Sequence, residues 1–222
     1  MSEWTQTNRR IAMSSAAAVV TLGVFYVVVG LIGVVTRRQS ASPLTQVDPY
    51  LAILEVTIIV SAVVLVVMMA SVHAYAPPER GIFSHAALAF VICSALMTCA
   101  VHFVSLTVGR QISPGVSPLL SHQLSFVEGW PTIALSLDLL AWDFFLGLAL
   151  IFAAQVFEGE AALRVRISMI VAGTLCLVGT LGPASGHMQI QYLGIAGYAF
   201  ALPIACGLLA IFFRQTRASE SG

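Results

Sequence analysis

Residues 49–76 read PYLAILEVTIIVSAVVLVVMMASVHAYA, an uninterrupted apolar run whose only ionisable groups besides the tyrosines are Glu55 and His73. A helix rising 1.5 Å per residue needs about 20 apolar residues to cross ~30 Å of hydrocarbon, and this stretch has that length to spare. It lacks the ten-residue polar–apolar alternation of a barrel strand, so its backbone groups can be satisfied in lipid only as a helix. Five further runs have the same character: 11–36, 82–108, 131–157, 165–184 and 192–213. The sequence therefore predicts an all-α, polytopic membrane protein, a bundle of six transmembrane helices.

Composition agrees. Hydrophobic residues make up 59% of the 222 and charged residues 9%, with a mean hydropathy of +0.94, where a soluble domain carries about one-quarter charged residues. The breaks between runs hold turn and charge chemistry: Arg37-Arg38 to Pro49, Pro77-Pro78-Glu79-Arg80, Gly109-Arg110, Glu158-Gly159-Glu160 and Gly182-Pro183 to Gly186. None is long enough to separate two units, so residues 1–222 are expected to form a single domain.

The first run follows Arg9-Arg10, but its apolar stretch exceeds the ~7–15 residues of a signal core and no small-residue cleavage site closes it, so it reads as a retained anchor. With the N-terminus cytoplasmic, Arg9, Arg10, Arg80, Arg164, Arg166, Arg214 and Arg217 lie inside against Arg37, Arg38 and Arg110 outside, which predicts both termini in the cytoplasm. Trp4, Tyr50, Trp130 and Tyr192 fall near run ends, where an interfacial aromatic belt would place them. The expected location is the cell membrane, a bacterial inner membrane, with the lipid bilayer as partner.

Every basic residue is arginine; there is no lysine. A retinal or pyridoxal Schiff base and a Walker-type phosphate loop each need a lysine, so light-driven pumping through retinal and P-loop ATP hydrolysis are excluded. A net formal charge of zero gives no footprint for nucleic acid. Cys93, Cys99, Cys176 and Cys206 all lie within apolar runs without a CxxC pair and read as small packing residues. Gly30 with Gly33, and Gly194, Gly197 and Ala201, give small faces on which helices of this chain or of an oligomer can approach, and Pro203 is expected to kink the last helix.

What carries function is the set of ionisable residues inside the runs, since hydrocarbon tolerates them only when something compensates their charge. Glu55, His102 and Asp138 lie six or seven residues from the same end of runs two, three and four, about 9 to 11 Å below the surface opposite the termini. If helices two, three and four are neighbours, as short connections favour, two carboxylates and an imidazole can converge. Two chemistries suit them: a proton relay, or a zinc site built from Glu55, His102 and Asp138 with His187 as a capping ligand. His122, Glu128 and Trp130 fall on the same side.

Asp143 follows Asp138 by five residues, about 500° of α-helix, so the two should point about 140° apart and serve different neighbours; Asp143 is a second candidate on a pathway. His73 and His85 flank the Pro77-Pro78 turn, a placement that raises haem ligation. The leading reading is a small transporter or channel for protons, a cation or a small solute using Glu55, His102, Asp138 and Asp143. The alternatives are a membrane-embedded metal-dependent hydrolase or haem or quinone redox protein, and an accessory or sensory bundle without turnover. The segment 109–130 is expected to be either a lid or a linker.

Overall fold

A computed structural model of the chain describes residues 4–39, 49–109, 111, 117–124 and 130–216. Among these, six helices are long and apolar enough to cross a membrane: Gln6–Thr36, Tyr50–Tyr75, Pro78–Gly109, Ile133–Ala154, Glu160–Ser185 and Gln191–Gln215. The first starts five residues ahead of the expected 11. The Thr5 hydroxyl accepts from the Asn8 N–H at 3.2 Å, an N-cap that satisfies one of the free donors of the first turn. Arg9 and Arg10 are thereby drawn into the helix, and Arg9 Nη1 donates to the Thr216 carbonyl at 3.3 Å, tying the start of the first span to the end of the sixth.

Each span packs on its neighbour in sequence, and the sixth packs on the first, so the bundle closes into a ring. The turns follow from local chemistry. Ala76 and Pro77 are extended and Pro78–Arg80 forms a single 3-10 turn before the third span. Gly159 (φ 80°) and Gly186 (φ 76°) take the left-handed conformation that a side chain disfavours, the first between spans four and five and the second closing span five. A short helix, Pro118–Gln123, occupies part of the third connection, and Gln123 Oε1 accepts from the Ile133 N–H that opens span four. Glu128 and Arg110 lie outside the described residues, as does Arg217.

The half of the bundle nearest the termini is solid. Met68, Met69 and Val72, Leu146, Ala149 and Leu150, Met169, and Leu209 with Phe213 are almost wholly buried. Trp4 packs against this core from the start of the first span, with its ring 5.2 Å from those of both Tyr75 and Phe213, and Phe157 stacks on Tyr75 at 6.0 Å. Arg80 and Glu158 pair across two turns at this end. Lipid tails are as apolar as these side chains, so close packing rather than water exclusion holds the helices together.

Spans five and six show how close that packing is. A Cβ built on Gly179 would lie 2.5 Å from Gly194 Cα, and one on Gly197 would lie 2.7 Å from Cys176 Sγ. The Gly194–Gly197 face is therefore used within the chain, and Gly33 is covered by Tyr50, whereas a Cβ on Gly30 would meet nothing within 4 Å.

Three spans are interrupted by π-helical turns: Ser105–Gly109 in the third, Leu140–Phe145 in the fourth and Ala196–Ala201 in the sixth. The last lies just before Pro203, whose ring would clash with the carbonyl of residue 199 and whose nitrogen has no proton to donate, so the extra residue of a π-turn relieves the conflict. The first and the last lie in the half of the bundle away from the termini, and Leu140–Phe145 straddles the middle of span four.

Candidate functional site

Glu55, His102 and Asp138 meet in that half. Glu55 sits one turn inside the second span and is 4% exposed, His102 two turns before the end of the third at 7%, and the Asp138 side chain, at 21%, faces a cavity. His102 Nδ1 lies 2.5 Å from Glu55 Oε2, and His102 Nε2 lies 3.1 Å from Asp138 Oδ1. The Ser105 hydroxyl donates to Glu55 Oε1 at 2.8 Å. The imidazole is thus a bridge between two carboxylates from different helices, and Ser105 holds the far carboxylate in place.

The number of protons in this bridge follows from its bonds. Each nitrogen–oxygen contact needs one proton, and a neutral imidazole brings only one. Two contacts therefore require one proton more than two carboxylates and a neutral ring possess. Written on the ring, that proton makes both ring N–H groups donors to carboxylates and leaves the trio with a net charge of −1. Such charge-assisted bonds are the strong class, and a buried site withholds the water that would otherwise compete for them.

Asp138 opens onto a cavity of about 170 Å³ lined by Tyr26, Ser61, His102, Asp138, Trp142 and Tyr198 among apolar neighbours. Its floor is Val19, Leu65 and Leu202, all buried, which separate it from the solid half. The rings of Trp142 and Tyr198 lie 5.8 Å apart along one wall.

Asp143 forms a second polar node. It is 0% exposed, and Gln191 Nε2 lies 3.4 Å from its Oδ2 and 3.5 Å from the Tyr198 hydroxyl. Its Oδ1 has no hydrogen-bond partner among the described residues, and Gly179 and Gly194 make room for the carboxylate. Asp138 and Asp143 thus serve different neighbours. The intervening π-turn winds less per residue than the 100° of an α-helix, so their separation departs from the angle expected from α-helical geometry.

Two expected sites take other forms. His73 and His85 lie with ring centroids 4.2 Å apart, His73 Nδ1 bonded to Ser84 Oγ at 2.8 Å and His85 Nδ1 to the Gly81 carbonyl at 2.7 Å. The two rings lie directly against one another beside the Pro77-Pro78 turn. Among the described residues no group of three His, Cys, Asp or Glu side chains is arranged to hold a metal. Glu55 and Asp138 approach opposite edges of the His102 ring instead of sharing a centre with it, and His187 is exposed in the turn after the fifth span. His122 falls in the short helix Pro118–Gln123.

Sequence reasoning missed Ser105, Tyr26, Trp142, Tyr198 and Gln191. Ser105 is three residues after His102, on the same helical face, and was there to be found. Gln191 lies one residue before the expected sixth run, and the two π-turns displace Trp142 and Tyr198 from an α-helical count.

No family model matches this chain, and no curated protein or solved structure is significantly similar to it. The fold and site define a polytopic helical membrane protein with a buried Glu55–His102–Asp138 network beside a small cavity.

Proposed function

We propose that the chain is a proton-coupled carrier for a small solute, in which Glu55, His102 and Asp138 hold the exchangeable proton and the cavity beneath Asp138 receives the solute. The observation that carries this reading is the bridge itself. A structural hydrogen bond between two helices needs one donor and one acceptor, whereas here three titratable groups share a chain of bonds that ends on open space. A proton lost or gained at Asp138 changes the charge of the cavity wall by one unit, which is how solute and proton binding become linked.

The solid half bears on mechanism. An open channel needs a continuous path, and Val19, Leu65 and Leu202 with the core beneath them interrupt it. Carrier action, in which the bundle rearranges to expose the site to each side in turn, fits this arrangement better than a static pore. The π-turns on three of the spans around the cavity supply places where such rearrangement can occur, and Asp143 with Gln191 and Tyr198 is the second proton-holding group along the route. The arginine bias supports both termini in the cytoplasm of a cell-membrane protein, with the cavity in the outer half and residues 1–222 acting as one unit.

The test is flux. In liposomes containing the purified chain and a lumenal pH dye, an imposed pH difference drives proton movement, and Asp138→Asn abolishes it while leaving the folded yield intact. Flux unchanged in a folded Asp138→Asn protein refutes the role of this residue.

A further inference from the structure

We infer that the cavity binds a small organic cation with an apolar body, admitted from the hydrocarbon between the first and sixth spans; this rests on the carrier reading above and names its substrate class. The charge comes first. The lining contains a carboxylate and the imidazole bonded to it, with a second carboxylate behind them, and no arginine. The trio's net charge is −1 with its extra proton and −2 without it, so the occupant that compensates it is cationic.

The walls say what kind of cation. Apolar side chains dominate the lining, and Tyr26, Trp142 and Tyr198 bring three aromatic rings to it. Ring faces attract a desolvated ammonium and favour alkylated ones, which surrender less hydration on entering such a site than a metal ion does. A volume of about 170 Å³ is slightly larger than the ~150 Å³ cavity that accepts a single benzene ring. An occupant of one ring, or an equivalent alkyl body, with an ammonium head is the right size.

The entrance follows from span one. Val19, Gly23, Tyr26 and Val27 line the cavity from one face of that helix, yet Val27 is 51% exposed and Tyr26 37%. Residues that border the cavity and also face outward mark a side opening. Across the seam, a Cβ built on Gly23 would meet only Pro203 Cγ, at 3.8 Å. Tyr26 lies ten residues before Thr36, about 15 Å inside the span, so the seam opens at the depth of the acyl chains and not at the water surface. An amphipathic cation that partitions into the bilayer reaches Asp138 by this route with its ammonium head leading.

The experiment uses the purified full chain in detergent micelles and isothermal titration with three probes that share a ring: benzyltrimethylammonium, benzyl alcohol and benzenesulfonate. The cation is expected to bind at least tenfold more tightly than the alcohol, with no binding of the sulfonate, and to release a proton, read from the dependence of the heat on buffer ionisation. Asp138→Asn is expected to remove the preference for the cation. Should that variant not fold, Tyr26→Leu, which deletes one aromatic wall at an exposed position, is expected to weaken the cation several-fold, and Gly23→Leu, which fills the seam, to do the same. Equal affinity for cation and alcohol, or a preference that survives these substitutions, overturns the inference. If the cation preference is absent while proton flux in liposomes still depends on Asp138, the substrate class is wrong and the carrier reading stands; loss of both removes both.

Discussion

Replacing Glu55 distinguishes a charged, proton-loaded bridge from ordinary interhelical contact, because the two give different losses of stability. Glu55 accepts from Ser105 and is bridged to His102, and it is almost wholly buried. If these were neutral hydrogen bonds of the usual membrane kind, each would contribute about 0.6 kcal/mol, and Glu55→Ala would lose about 1.2 kcal/mol. If Glu55 is one end of a buried charged network, its removal strands its partner and costs about 3–5 kcal/mol. The account predicts the larger figure.

Glu55→Gln separates charge from shape in the same experiment. The amide oxygen can accept from Ser105 and the amide N–H can donate to a bare His102 Nδ1, while His102 Nε2–H still donates to Asp138. Every contact survives with one proton fewer, so the predicted loss stays within about 1 kcal/mol. Reversible unfolding in mixed SDS micelles, followed by circular dichroism, reads both variants. A loss near 1 kcal/mol for the alanine variant, or equal losses for the two, would refute the reasoning, since it would mean that no charged network is being broken.

The close approach of spans five and six predicts that Gly179→Ala, whose Cβ would lie 2.5 Å from Gly194 Cα and 2.6 Å from its nitrogen, costs about 1–3 kcal/mol in the same unfolding assay. Gly30→Ala, with nothing within 4 Å of the added carbon, is expected to stabilise by up to about 1 kcal/mol through helix propensity. Arg80→Ala removes a pair whose Glu158 side chain is 56% exposed, and thermal unfolding should register less than about 1 kcal/mol.

The six spans were legible because crossing hydrocarbon imposes a length, and length survives in sequence whatever the side chains do. The expected 49–76 became Tyr50–Tyr75. The shared depth of Glu55, His102 and Asp138 was legible for a related reason: counting 1.5 Å per residue from one surface is reliable over two turns. Which side chains face one another was less so. Rotational position depends on every residue between being α-helical, and the turns at Leu140–Phe145 and Ala196–Ala201 break that condition beside Trp142 and Tyr198. Nothing in a hydropathy pattern reports a π-turn, although Pro203 gave a reason for one.

The histidines show the same limit from another side. Distance from a helix end placed His73 and His85 on one level as readily as it placed the bridge, and only the fold shows that the first pair meet ring against ring while His102 is held between acids. Of the glycines that read as faces for helices of this chain or of an oligomer, Gly194 and Gly197 serve the contact of span six with its neighbours in the chain, because a small-residue stripe does not say which helix it serves.

The central claim is that the bridge carries one more proton than two carboxylates and a neutral imidazole possess, and histidine nitrogen NMR reads it directly. In protein labelled at the histidine ring nitrogens, with the His102 signals assigned by their absence from His102→Gln, wild type should show both nitrogens as N–H donors, and Glu55→Gln should turn one of them into a bare acceptor. Identical nitrogen signals in the two proteins, with one nitrogen unprotonated in wild type, would contradict it.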